Sequence, residues 1–250
     1  MPDNCEDKNR YANVVPLPET RVLLQRIGDE EKSEYINANF VKGPKDTSNY
    51  YIATQAPLEN TIVDFWRMIW EQNSKVIVMA TDLTENGVER CAEYIPASVV
   101  VDNSLTFGEF LVTMKSREVK GKYAVSQLHL KNLKTNTWRE IMHLWYSWPE
   151  NGCPTDEASI ISLLLEARGY LRTNLPEQLD ENSNMESIDK EKWSTLDKTK
   201  SLQRVQGWVA GLIHKWWQPT YSILVHWQFT VPLAPVEQAH SSLVISFCAI

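Results

Sequence analysis

The chain has 250 residues, of which 43% are hydrophobic and 10% aromatic, and this is enough to bury a large core in one domain, with or without an appendage. Its formal net charge of −7 comes from 25 basic and 32 acidic residues with no basic block, which disfavours a nucleic-acid partner. The 4 cysteines form no CxxC or CxxH pattern, so we expect free thiols in a reducing compartment, and no disulfide framework, metal site or cofactor.

Alternating apolar and polar residues predict strands at 20–24, 34–41 and 50–55. Asn60 is placed to cap a helix, and the continuous apolar run at 75–80 predicts a central strand covered on both faces. We expect the apolar stripe of this helix to pack in the core rather than to form a ligand cage, because a core-facing helix needs one apolar face. The stripe consists of Ile62, Phe65, Trp66, Ile69 and Trp70.

The segment 82–94 is polar, and its Asn86-Gly87 pair predicts a tight turn. Strand candidates follow at 108–114, 122–130 and 138–146. Two histidines, His129 and His143, fall inside these strands, and no second ligand stands at metal spacing. Both are therefore interpreted as packed, hydrogen-bonded residues.

The last third of the chain begins with a helix and then changes in composition. Thr155 starts the predicted helix, and Gly169 follows its last apolar residue. Acidic residues, Asn, Ser and Lys then dominate, which predicts an exposed insert at 175–201 between a first domain at 1–174 and a tryptophan-rich divergent tail at 202–250.

Residues 144–154 end a strand and enter a loop that carries a single acid, Glu150. Pro149 and Pro154 fix φ and Gly152 supplies a permissive backbone, so the loop should hold a defined shape and present the carboxylate. The alternative interpretation is a surface turn with an incidental glutamate.

No apolar run has the length of a membrane span, and residues 1–8 have neither the basic nor the apolar region of a signal peptide. The sequence alone therefore predicts a cytoplasmic protein.

Six segments within residues 1–172 resemble motifs of the protein tyrosine phosphatases, in the order of that family. Residues 8–11 resemble the phosphotyrosine-recognition loop, and 148–154 resemble the mobile W-P-D-x-G-x-P acid loop. The other four are the D-Y-I-N-A-N strand at 34–39, the T-Q-G-P-L segment at 51–58, the following helix at 64–71 and the K-C-x-x-Y-W-P segment at 90–96. The resemblance implies an α/β (α+β) fold with a highly twisted mixed central β-sheet flanked by helices.

The resemblance also implies a mechanism. In this family a cysteine thiolate attacks phosphorus from an H-C-x5-R-S/T loop at a helix N-terminus, where backbone N–H groups and the helix dipole stabilise both thiolate and phosphate. The arginine of that loop binds the phosphoryl oxygens, and an aspartic acid protonates the tyrosine leaving group. By resemblance Tyr11 is the tyrosine that stacks on the substrate, Asn13 is a second substrate-binding residue, and Glu150 occupies the general-acid position.

The chain departs from the family pattern in two places. Glu150 is one methylene longer than aspartic acid, and a Trp-Pro-Glu loop is typical of the second, poorly active domain of tandem receptor-type phosphatases. The sequence also contains no Cys-x5-Arg motif, so we expect no catalysis from this chain by that mechanism. The residues six positions after Cys5, Cys91 and Cys153 are Tyr11, Ala97 and Ser159, none of them arginine. Cys248 has only two residues after it.

The tail suggests an explanation for the missing motif. When codons from Val225 onward are read from their third base, the code permits Pro-Leu-Ala-Val-His-Cys-Ser-Pro-Gly-Thr-Gly-Arg-Thr-Gly-Thr-Leu-Ile, a phosphatase nucleophile loop. Degeneracy permits other readings at each step. The hypothesis is a frame-shifted or mis-spliced tail, and a transcript with one uninterrupted frame across codons 175–250 and no alternative would refute it.

Such a chain would be truncated before the nucleophile loop and would lack a central strand and its helix. Because buried apolar area contributes about 25 cal/mol per Å2, that loss would cost tens of kcal/mol against a net stability of about 5–15 kcal/mol. The apolar run at 223–229 is a candidate to fill the vacant central position.

Three functions remain open. The chain is an inactive phosphatase-fold module that binds phosphotyrosine proteins or a partner phosphatase domain, a fragment of an active receptor-type phosphatase at the cytoplasmic face of a membrane, or an unstable product without function. Solubility and cooperative unfolding separate the third from the others.

Overall fold

The computed structural model describes residues 4–42, 49–147, 154, 156–173 and 243–247, all of which belong to one compact unit. The strands of this part are β1 (Arg21–Leu23), β2 (Tyr35–Lys42), β3 (Asn49–Gln55), β4 (Val76–Ala80), β5 (Thr84–Glu85), β6 (Val88–Glu89), β7 (Ser104–Phe107), β8 (Phe110–Lys120), β9 (Tyr123–Asn132), β10 (Thr137–Tyr146) and β11 (Leu243–Phe247). The helices are α1 (Ile62–Glu71) and α2 (Glu157–Thr173), with short 3-10 helices at Glu6–Lys8, Glu31–Glu34 and Glu59–Thr61.

Nine strands form one mixed sheet in the order β1-β2-β3-β11-β4-β10-β9-β8-β7. The four central strands β3, β11, β4 and β10 are parallel, and the other neighbours are antiparallel. The carboxyl ends of the four parallel strands therefore meet at one edge of the sheet, which in open α/β sheets is where ligand sites form. The mixed sheet and its helices confirm the predicted fold class.

The two helices cover opposite sides of β4. Ile77 and Met79 belong to the core that contains Phe65 and Trp66 of α1. Val76 and Val78 belong to the second core, which contains Leu163, Ala167 and Leu171 of α2. Because successive side chains of a strand point to opposite faces, this arrangement explains why residues 76–80 are all buried and confirms the predicted central strand.

The start of α1 differs from the prediction. Asn60 lies within the 3-10 turn Glu59–Thr61, and its side-chain amide donates to the carbonyl of Asp7 at 3.0 Å instead of capping the helix. Thr61 takes part in the turn that precedes α1, because its hydroxyl accepts the N–H of Leu58 at 2.9 Å. The predicted stripe is confirmed, with four members buried and Trp70 packed at the edge of the core.

Both ends of α2 also differ from the prediction. The capping residue is Asp156 rather than Thr155, because a carboxylate oxygen of Asp156 accepts the N–H of Ser159 at 3.2 Å. The helix continues through Gly169 to Thr173. It continues because its buried residues, Leu163, Ala167 and Leu171, keep helical spacing across the glycine. Within the described residues no helix is long and apolar enough to cross a bilayer.

The strands at 20–24, 34–41, 50–55, 122–130 and 138–146 are confirmed to within a few residues, and β8 runs further than predicted. Its added half, 115–120, is mostly exposed and mostly polar, and it pairs with β9 without an apolar face of its own. The sequence pattern missed β7 at the sheet edge and the β5–β6 hairpin, although the Asn86-Gly87 turn is confirmed by positive φ at both residues.

The central position is filled by a different segment from the one expected. Residues 223–229 were a candidate for the vacant central position; the structure places Leu243–Phe247 between β3 and β4, with five paired residues on each side. Both runs are β-branched and apolar, and strand composition alone does not select between them. The run 223–229, the insert at 175–201 and most of the tail lie outside the described residues.

Candidate functional site

The loop at 8–14 is organised by Asn9. Its side-chain oxygen accepts the hydroxyl of Tyr35 at 2.6 Å and the amide of Asn37 at 2.9 Å. The same Asn37 amide donates to the carbonyl of Val14 at 2.8 Å, so both ends of the loop are attached to β2. Burial raises the pKa of Tyr35 to about 12, which keeps its hydroxyl a donor to Asn9.

Lys8 attaches the start of this loop to α1. Its ammonium group lies 2.8 Å from Asp64 on α1 and donates to the carbonyl of Lys32 at 2.9 Å. Arg67 binds the other oxygen of Asp64 at 3.0 Å. Side chains of these three residues are 8–12% exposed, so this is a buried charge network with a structural role.

Gln55, the last residue of β3, joins the loop to the sheet. Its amide donates to the carbonyl of Lys8 at 2.7 Å, and its oxygen accepts the N–H of Arg10 at 2.9 Å. The Arg10 guanidinium donates to the carbonyl of Pro57 at 2.8 Å. The backbone that leads to Tyr11 is therefore attached at the carboxyl edge of the parallel strands.

Tyr11 is half-buried, and its hydroxyl accepts a hydrogen bond from Arg90 at 3.2 Å. The guanidinium of Arg90 also lies 3.2 Å from the carboxylate of Glu85 on β5. Asn13, two residues beyond Tyr11, is exposed. The geometry thus presents one oriented aromatic ring, braced by the β5–β6 hairpin, next to an exposed amide.

Glu150 lies outside the described residues, which end at Ser147 before the loop and include Pro154 after it. The strand that leads into the loop is well anchored: the indole of Trp145 donates to the carbonyl of Thr81 at 2.8 Å, and Ser147 donates to the carboxylate of Asp82 at 2.6 Å. This places the end of β10 at the same carboxyl edge as Gln55.

The described cysteines, Cys5 and Cys91, are buried. The Cys91 thiol donates to the carbonyl of Ala92 at 3.3 Å, and burial raises the pKa of Cys5. A raised pKa disfavours the thiolate, so Cys5 is a poor nucleophile at neutral pH.

The two strand histidines pack as predicted. His143 is fully buried and shares a hydrogen bond of 2.7 Å with the hydroxyl of Tyr94, while His129 stacks on Trp138 with ring centroids 4.4 Å apart. Burial lowers the pKa of His143 to about 3, which keeps it neutral. In the part of the chain that the structure describes, no cluster of three or more His, Cys, Asp or Glu residues could hold a metal ion.

Sequence reasoning missed four residues of this site: Arg10, Gln55, Glu85 and Arg90. Gln55 and Arg90 lay inside segments that resembled family motifs, and a polar residue at the end of a parallel strand is a usable signal for a site. No local signal pairs Arg90 with Tyr11, because the two are 79 positions apart.

Comparison with known proteins identifies the family. The model of the protein-tyrosine phosphatase family matches residues 5–178. The chain belongs to the protein-tyrosine phosphatase family. The match covers every described element of this phosphatase domain except β11.

Relatives of both receptor and non-receptor type are similar to this phosphatase chain. It is 39% identical to rat tyrosine-protein phosphatase non-receptor type 21 over 174 residues, covering 69% of this chain and 15% of that protein. It is 39% identical to human receptor-type tyrosine-protein phosphatase alpha over 165 residues, covering 66% and 20%. Identity to human non-receptor type 18 is 39% over 182 residues, covering 71% and 37%. The matched stretch is thus well under two thirds of each relative's length.

Proposed function

We propose that this chain is a phosphatase-family module that binds phosphotyrosine and does not hydrolyse it. One contrast carries the proposal. The described residues hold the Tyr11 loop in a fixed, braced conformation, whereas the 250-residue sequence contains no Cys-x5-Arg motif. A module that keeps the recognition loop without the nucleophile loop retains binding and loses chemistry.

The braced loop supports binding. Tyr11 offers a ring face whose position is set by Arg90, and a phosphotyrosine ring that stacks on it gains aromatic contact of about 0.5–1.5 kcal/mol beyond area burial. Asn13 is exposed beside it and can hydrogen-bond a peptide backbone. Affinity from these contacts alone is modest, because the sequence has no Cys-x5-Arg motif to supply the anion nest and bidentate arginine of the family.

The chemistry supports inactivity. Attack on phosphorus needs a thiolate at neutral pH, and the described thiols Cys5 and Cys91 are buried. No arginine follows Cys5, Cys91 or Cys153 at the sixth position, so none of these three has the phosphate clamp. Glu150 is a proton donor, but a proton donor without a nucleophile does not form the cysteinyl-phosphate.

The experiment combines binding and turnover on one sample. We expect a fluorescent phosphotyrosine peptide to bind the chain with higher affinity than the unphosphorylated peptide, and phosphate release to equal that of a Glu150→Ala control. Tyr11→Ala should weaken binding about tenfold, while Tyr11→Phe, which keeps the ring, should retain most of it. Equal affinity for both peptides, or release that depends on Glu150, would refute the proposal.

Three finer assignments belong to this proposal. The Trp-Pro-Glu sequence at 148–150 supports a second-domain, receptor-type origin, with a partner phosphatase domain as a further ligand. The free thiols of Cys5 and Cys91 support a reducing, cytoplasmic location. Co-purification with the first phosphatase domain of a receptor-type relative tests the partner assignment.

A second candidate, an active phosphatase, is favoured by one observation. In the family the nucleophile loop leaves the carboxyl end of a central strand, and in this sequence Cys248 directly follows β11, which occupies a central slot between β3 and β4. Phosphotyrosine hydrolysis that is lost in Cys248→Ser but kept in Cys91→Ser would establish this candidate and overturn the first.

A further inference from the structure

A cavity of about 520 Å3 lies between the segment after β1 and the carboxyl end of α1. Its walls include Leu23, Leu24 and Gln25 on one side and Trp70 and Glu71 on the other. Gln72 and, from β10, Arg139 complete the lining. The cavity shares no lining residue with the Tyr11 loop, so it is a separate site.

The guanidinium of Arg139 is the cationic group in the wall of this cavity. It stacks on the indole of Trp70 with its central carbon 3.9 Å from the ring centroid, and it donates one hydrogen bond of 2.6 Å to the Trp70 carbonyl. A guanidinium has five N–H donors, and among the described residues no carboxylate forms an ion pair with this one. The stacking fixes the guanidinium plane and leaves its other donors for a planar anion.

The acid in the cavity wall, Glu71, binds other groups. One oxygen of Glu71 accepts the N–H of Gln25 at 2.8 Å, and the other lies 3.7 Å from Arg67. Lys75 is a second basic group close to Arg139, because the charge of Arg139, after burial, lowers the pKa of Lys75. The surroundings of Arg139 therefore favour an anion.

The apolar part of the wall favours an anion that carries an apolar group. Leu24 is buried and Leu23 is 55% exposed, so an apolar group that enters the cavity can cover Leu23. Covering apolar surface adds about 25 cal/mol per Å2 to any charge interaction.

We propose that this cavity binds a carboxylate attached to an apolar group, with Arg139 as its bidentate partner and Leu23 as its apolar contact. The ligand is a free organic acid or the C-terminal carboxylate of a peptide that ends in an apolar residue. Carboxylate geometry matches the guanidinium fork, and the stacked Trp70 holds that fork in place.

The test follows the Trp70 indole N–H signal, which every variant below retains, by NMR during titration with benzoate and, separately, benzamide. We expect a saturable shift with benzoate and at least tenfold weaker binding of the neutral, isosteric benzamide. Acetyl-Ala-Ala-Leu and its C-terminal amide form the second pair, and tighter binding of the peptide acid than of benzoate identifies a peptide terminus as the source.

Two variants and one control complete the test. Arg139→Gln should lose at least tenfold in benzoate affinity, and Leu23→Asp, at an exposed position, should do the same by placing a negative charge at the rim. Arg117→Gln is the matched control, because Arg117 also stacks on a tryptophan, Trp145 at 5.0 Å, but does not line the cavity. Equal binding of benzoate and benzamide, equal binding of inorganic phosphate, or unchanged affinity in a folded Leu23→Asp variant would overturn the proposal.

Discussion

Arg90 donates a hydrogen bond of 3.2 Å to the hydroxyl of Tyr11, across 79 positions of sequence. Arg90 also pairs with Glu85, so the hairpin of β5 and β6 supports the recognition loop. The loop is therefore held by three elements at once: β2 through Asn9, β3 through Gln55 and the hairpin through Arg90.

This contact should be measurable as a coupling between Arg90 and Tyr11. We expect a double-mutant cycle of Arg90→Met and Tyr11→Phe to give an interaction of about 0.5–1.5 kcal/mol in the free energy of unfolding. Arg90→Met should change phosphotyrosine-peptide binding only as much as Tyr11→Phe does, because both substitutions remove the same hydrogen bond and keep the ring. Additive effects of the two substitutions would show that the hydrogen bond does not couple them.

The buried ion pairs of Asp64 should contribute more to the free energy of unfolding than an exposed ion pair does. Asp64→Ala leaves Lys8 and Arg67 buried without their shared carboxylate, and we expect a loss of about 3–5 kcal/mol in urea unfolding. Glu31→Ala is the control: Glu31 is 70% exposed and lies 3.8 Å from Arg26, so its removal should cost less than about 1 kcal/mol. Equal losses would contradict the structural role of Asp64.

Structural features that depend on burial could be predicted from the sequence. The apolar run at 76–80 predicted a strand covered on both faces, and the stripe on α1 predicted a core-facing helix. Local motifs also identified the segment 8–11, which the structure shows as an ordered loop attached to β2 and β3. These features are local, since each depends on residues close together in the sequence.

Contacts between residues far apart in the sequence could not be predicted from it. The side chain of Asn60 had a helix N-terminus within reach but bonds to the Asp7 carbonyl, which only the folded chain brings near. Similarly, 223–229 and 243–247 both have strand composition, and the choice between them depends on pairing with β3 and β4 rather than on intrinsic preference. The bracing of Tyr11 by Arg90 belongs to the same class.

The buried His143 should make stability depend on pH. Burial lowers its folded pKa to about 3 from an ordinary value of 6.5, so the unfolded chain binds one more proton between these values. Its contribution is fully present above pH ~6.5 and is lost as the pH falls towards ~3, with about 2 kcal/mol lost at pH 5. His143→Gln should remove that part of the difference in urea unfolding between pH 7 and pH 5. An unchanged difference in the variant would show that other groups cause it.

The central position of β11 gives the last prediction. Its residues pair on both sides, with Ile245 opposite Ala53 of β3 and Val78 of β4. Ile245→Pro removes an N–H donor from the middle of the sheet and introduces a ring that a central strand does not accommodate, so we expect a loss of about 3 kcal/mol or more. Ile245→Val keeps the N–H and the strand preference, so it should cost much less than the proline variant. Urea unfolding of both variants measures the difference. If the proline variant unfolds at the same urea concentration as the valine variant, residues 243–247 do not form the central strand in solution.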